Sequence, residues 1–127
     1  IWSKLAGSVD LEEYITKSID TLLNNKAYLK HKLEIDEKLT LRYIAVYIDA
    51  VNEAVRTHSP HVLAGAVFNL ATAFNTFYAH HQVVSGELKD LSQIDPATAW
   101  RLLLTRAVGL TIKHGLNVLG IPVVDKM

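Results

Sequence analysis

Cysteine is absent from the 127 residues, which excludes disulfides, cysteine-based zinc sites and a thiol nucleophile. Net charge is absent too, with 13 Lys+Arg against 13 Asp+Glu, and that argues against strong, sequence-blind nucleic-acid binding. No apolar run approaches the ~20 residues of a bilayer helix. The start, Ile1-Trp2-Ser3-Lys4, lacks the basic flank and long apolar core of a signal peptide. The expectation is therefore a cytoplasmic protein with no membrane partner. Because Ile1 is not a native translation start, a piece of a longer chain, or one with a removed tag, is also expected. Half of the residues are hydrophobic, and a chain of this mass buries roughly two-thirds of its unfolded surface, enough for a core without staples.

Proline and glycine are scarce, at three and six, and they fall where helices begin or end. Ser59-Pro60 reads as an N-cap followed by proline at the first helical position, and Asp95-Pro96 repeats the device. The first opens a helix running to His81, with Leu63, Val67, Leu70, Phe74 and Phe77 on one stripe. The second opens a helix running to Leu119, with Trp100, Leu103, Leu104, Ala107, Leu110 and Leu116 inward, stopped by Gly120 and Pro122. Leu39 to about Thr57 reads as a helix with Ile44, Ile48, Val51 and Val55 inward. Asp10 to about Asn24 reads as another, capped by Asp10, with Leu11, Ile15, Ile19, Leu22 and Leu23 inward. The lysine-rich stretch 24–37 is expected to be a short helix or a connection. The architecture that follows is all-α, a bundle of four or five helices.

Mechanism-bearing motifs are missing: there is no Gly-rich phosphate loop, no H-E-x-x-H and no G-x-S-x-G. The acidic residues converge at no spacing that makes an acid/base pair. His80 and His81 are adjacent and His58 and His61 lie at the other end of the same helix. Adjacent helical residues point about 100° apart and those ends lie ~30 Å apart, so no metal site is expected. Phe74 and Tyr78, four apart with Asn75 beside them, put two rings on one face. Phe74 reads as core packing and Tyr78 as a boundary residue. An aromatic pair with an amide and an open end is equally how proteins hold unstacked RNA bases. Residues 97–127 form the one electropositive end, with Arg101, Arg106, Lys113 and Lys126 against Asp125 alone. Arg106 and Lys113, seven apart, share a stripe that suits phosphate contacts.

Four fragments in order carry a resemblance. They are Ser59-Pro60-His61-Val62-Leu63-Ala64, then Leu70-Ala71-Thr72-Ala73-Phe74-Asn75-Thr76-Phe77-Tyr78, then Arg106-Ala107 through His114-Gly115-Leu116, and finally Leu119-Gly120-Ile121-Pro122-Val123-Val124-Asp125-Lys126-Met127. Residues 38–127 resemble the C-terminal anticodon-binding domain of arginyl-tRNA synthetase, the DALR-type helical bundle, with 1–37 as a divergent first helix and connection. The resemblance implies a single domain that grips the anticodon stem-loop of arginine tRNA and presents it to a class I catalytic domain elsewhere in the chain. It implies that the middle anticodon base, a cytosine, is held by Phe74, Tyr78 and the chain's final Met127, with Asn75 adjacent. On that reading Arg101, Arg106 and Lys113 are expected to contact phosphates. The family's first-helix Y-x-x-Y-A-H-A-R signature is reduced here to Tyr14-Ile15-Thr16-Lys17-Ser18, with Tyr14 and Lys17 as analogues. The Asn that usually precedes the matched glycine is His114. The catalytic H-I-G-H-like and K-M-S-K-like loops are not in these residues, so no aminoacylation and no cofactor are expected of this chain, ATP belonging to the parent's catalytic domain. No DNA partner is expected. The alternative is a free-standing or appended adaptor of the same fold that recruits tRNA or a protein.

Overall fold

A computed structural model describes residues 10–84 and 90–124. Among these the structure is all-α: α1 (Leu11–Asn25), α2 (Ile35–Thr57), α3 (Pro60–His80) and α4 (Pro96–Val118), with 3-10 turns at Ala27–Lys30 and Leu91–Gln93. Contacts divide the chain into two compact units, residues 1–32 with 81–103 and residues 33–80 with 104–127.

In the first unit, the Asp10 carboxylate accepts hydrogen bonds from the backbone N–H of Glu12 (3.0 Å) and Glu13 (3.3 Å), capping α1 as expected. The helix buries Ile15, Ser18 and Leu22, a stripe at i, i+3 and i+7. Leu23, expected inward, is half-exposed because it lies about 100° round the helix from Leu22. Asp95 caps α4, accepting from the Thr98 backbone (2.8 Å) and hydroxyl (2.8 Å). Behind that cap, Ala99 and Leu102 are buried. The Asn25 side chain donates to the Ser92 carbonyl at 2.6 Å, tying the end of α1 to the second 3-10 turn.

The second unit is built on an α2–α3 hairpin. Glu34 and Glu37 form a capping box at the start of α2. His58 turns the chain in the left-handed region (φ 52°) and Pro60 opens α3 as its first residue. The Ser59 hydroxyl donates to the Thr57 carbonyl at 3.1 Å. A hydrogen-bond contact between the Asp36 carboxylate, at the start of α2, and His80 Nδ1, at the end of α3 (2.9 Å), shows that the two run antiparallel. On α3 four of the five expected stripe residues, Leu63, Val67, Leu70 and Phe77, are buried, joined by Ala73 in place of Phe74, which is only half-buried.

On α2 the inward face is only partly the expected one: Val51 packs against the core and Ile44 is half-buried, but Ile48 and Val55 are not inward. Glu37, Thr40, Tyr47 and Ala50 are buried, while Ile48 and Val55 are 64% and 70% exposed. Tyr47, with Val51 and Ala54 beside it, packs with Leu63 and Val67 of α3 and with Ile112 and Leu116 of α4. A ring of that size fills more of the core than either aliphatic alternative. Leu41, Ile48 and Val55, spaced by seven, are left as an exposed apolar stripe. On α4 likewise, Leu110 is half-exposed whereas Leu104 and Val108 are buried. The inward line of α4 is set by Gly115, where a Cβ would overlap Val67 and crowd the Tyr47 ring, and Leu110 lies about 140° away from it.

A further correction concerns α3. Over Pro60–His80 it carries no Asp, Glu, Lys or Arg, and by length and composition alone it is apolar enough to cross a membrane. Its buried stripe packs inside the unit, and Asn69, Thr72, Asn75 and Thr76 form an exposed polar side, which fits the core helix of a bundle.

Candidate nucleic-acid interface

Three aromatic side chains near the end of α3 form a row from core to solvent. Phe77 is fully buried. Phe74, half-buried, tilts against it with ring centroids 5.7 Å apart. Tyr78, 52% exposed, lies 6.1 Å from Phe74 with only 30° between the ring planes. The inner rings therefore fix the outer one, and Tyr78 offers ring surface to solvent with exposed Asn75 one turn back. Such an arrangement can stack a flat base and bond its edge.

Helix geometry fixes which way this row faces. Val67 and Tyr78 are eleven residues apart, within about 20° of one line along the helix, and Val67 is the residue that meets Gly115 of α4. His80, about 200° round from Tyr78, is the residue that pairs with Asp36 of α2. Tyr78 thus projects from the α4 side of α3 and away from α2.

The basic residues are arranged differently. Arg106 and Lys113 do share a stripe of α4, but they lie about 180° and 160° round the helix from Gly115, on the face directed away from α3. They do not border the aromatic row. Arg106 is half-buried and Lys113 exposed, and among the described residues neither has an ion-pair partner. Arg101, in the first unit, is engaged with the chain itself: its Nη1 donates to the Gln82 carbonyl (3.2 Å) and its Nη2 lies 3.4 Å from His81 Nδ1. Tyr14 and Lys17 also lie in the first unit, Tyr14 half-buried and Lys17 ion-paired with Glu13. Such an exposed pair is weak and leaves the ammonium accessible. Met127 falls outside the described residues. No three His, Asp or Glu side chains that could hold a metal converge among the described residues.

One contact escapes sequence reasoning. The hydroxyl of buried Tyr47 lies 2.6 Å from Nδ1 of exposed His114, with the rings nearly perpendicular (85°). Burial pushes the Tyr47 phenol above its ordinary range. No local signal joins residues 67 positions apart.

The family pattern described as the DALR anticodon binding domain matches residues 11–127, first helix included. The chain belongs to that family. An arginine–tRNA ligase of Shewanella pealeana is 33% identical over 106 residues, covering 84% of this chain and 17% of that protein. One from Baumannia cicadellinicola is 28% identical over 123 residues, 90% of this chain and 20% of its own, and one from Ligilactobacillus salivarius is 32% identical over 88 residues, 69% and 14%. The chain spans a fifth or less of the length of these curated relatives. No solved structure matches.

Proposed function

We propose that this chain is the anticodon-binding module of an arginine–tRNA ligase, gripping the anticodon loop of arginine tRNA for a class I catalytic domain that binds ATP and lies elsewhere in the polypeptide. The observation that carries the reading is the outermost ring of the aromatic row, Tyr78, held over Phe74 with Asn75 beside it in a domain of this family. The middle anticodon base, a cytosine, stacks on Tyr78, and Asn75 bonds its edge. Arg106 and Lys113, facing outward from α4, meet phosphates of the stem-loop, giving affinity without choosing sequence. Arg101, Tyr14 and Lys17 are outer contacts, with Arg101 first a structural tie between Gln82 and α4.

Met127, outside the described residues, joins the proposed base contacts on the strength of the family resemblance alone. Its thioether packs adaptably on a base. Val118 and Leu119 line an open groove of about 440 Å³ together with Pro60 and Leu63. Titration of the labelled domain with an anticodon stem-loop tests the reading. The amides of Phe74, Asn75 and Tyr78 are expected to shift first. Shifts confined to the exposed apolar stripe of α2, or none, would favour a protein-recruiting adaptor.

A further inference from the structure

The outward face of α4 carries more than its two cations. His114 lies one residue from Gly115, yet its ring is exposed while Gly115 is buried. Its Nδ1 is held by the hydroxyl of Tyr47 at 2.6 Å, and the perpendicular Tyr47 ring packs against it with centroids 5.9 Å apart. Tyr47 itself is locked in the core cluster with Leu63 and Val67. This is an exposed imidazole with a buried anchor.

The anchor decides which nitrogen carries the proton. The Tyr47 phenol keeps its hydrogen, which needs an acceptor because a buried donor left unpaired is costly. The neutral imidazole supplies that acceptor at Nδ1, so its own hydrogen resides on Nε2. If the ring gains a second proton, Nδ1–H donates to the phenol oxygen instead and Nε2–H remains. In both states, then, an N–H on the far side of the ring from Tyr47 points to solvent.

The surroundings suit an anion. Exposed Lys113 and Asn117 adjoin His114 on α4, and Arg106 lies two turns back. No Asp or Glu occurs from Pro96 to Val118. Asp49, two residues beyond Tyr47 on α2, projects about 200° away from it.

We infer that His114 is a further RNA-contacting residue, donating Nε2–H to a phosphate oxygen of the anticodon stem-loop and held in that pose by Tyr47. The inference rests on the RNA-binding reading above. The contact is to backbone, so its loss weakens cognate and mismatched RNA alike.

The test is the affinity of the domain for an arginine tRNA transcript, and for the same transcript with its middle anticodon base changed from C to U. Wild type, H114A, Y47F and the double variant Y47F/H114A are compared. The double variant removes the orphaned hydroxyl that H114A leaves in the core. H114A and the double variant are expected to lose about fivefold to tenfold on both RNAs, and Y47F, which frees the ring without removing it, about twofold to threefold. Imidazole ¹⁵N spectra should show Nε2 protonated in the neutral free domain and shifting when RNA is added. Wild-type binding that both His114 variants retain in full, or an imidazole signal that RNA leaves unmoved, overturns the inference and spares the RNA-binding reading. Failure of wild type to bind either transcript overturns both.

Discussion

Gly115 of α4 lies so close to Val67 of α3 that a Cβ added there would overlap the valine γ-methyl and come 3.2 Å from the Tyr47 ring. The contact lets α4 approach the α2–α3 hairpin, and it sets which line of α4 faces inward. Gly109, two turns earlier on the same helix, has open space around its missing Cβ. Gly115→Ala is expected to destabilise the domain by about 1–3 kcal/mol through overpacking. Gly109→Ala should stabilise it by about 0.5–1 kcal/mol, the helix-propensity difference. Urea denaturation of both variants measures the pair, and equal effects would mean that the close approach is not specific to Gly115.

The face that α2 turns inward gives a second comparison. Leu70 is fully buried, whereas Ile48 is 64% exposed. Leu70→Ala should cost about 2–5 kcal/mol and Ile48→Gln less than about 0.5 kcal/mol. A large loss at Ile48 would show that α2 packs through its aliphatic stripe after all.

Much of the fold is legible in the sequence, and the reason is local. Asp10, Pro60 and Asp95 mark helix starts because capping and proline geometry act within one turn. The α3 stripe reads correctly at Leu63, Val67, Leu70 and Phe77 because Asn69, Thr72, Asn75 and Thr76 make its opposite side polar. The α2 sequence is apolar on two stripes, Tyr47–Val51–Ala54 and Leu41–Ile48–Val55, and only the partner helices choose between them. Of the candidate site, the Phe74–Tyr78 pairing follows from spacing. Its direction, and the separation of Arg106 and Lys113 from it, depend on where α4 lands. The Tyr47–His114 bond is tertiary and leaves no trace in either segment.

Tyr47 also predicts a pH dependence. Burial holds the folded phenol above its ordinary value of 10.0, so its contribution to stability is complete below about pH 10 and declines as pH rises through the folded value. The stability of Tyr47→Phe should therefore fall less steeply than wild type above that pH. Chemical denaturation of both proteins from pH 8 to about 11 reads the difference, and parallel curves would remove Tyr47 as the source.

The aromatic row predicts a separation of fold from recognition. Tyr78→Ala, at a half-exposed site, should change stability by no more than about 1 kcal/mol while abolishing any preference for a cytosine at the middle anticodon position. A Tyr78→Ala protein that still discriminates would place base recognition elsewhere.

Base-selective anticodon binding by this domain stands or falls on its affinity, at about 50 mM salt where phosphate contacts are least screened, for an arginine tRNA transcript and for its middle-base C-to-U counterpart. Tighter binding to the C transcript is expected, with the difference erased in Tyr78→Ala. Equal binding of the two transcripts by wild type contradicts it.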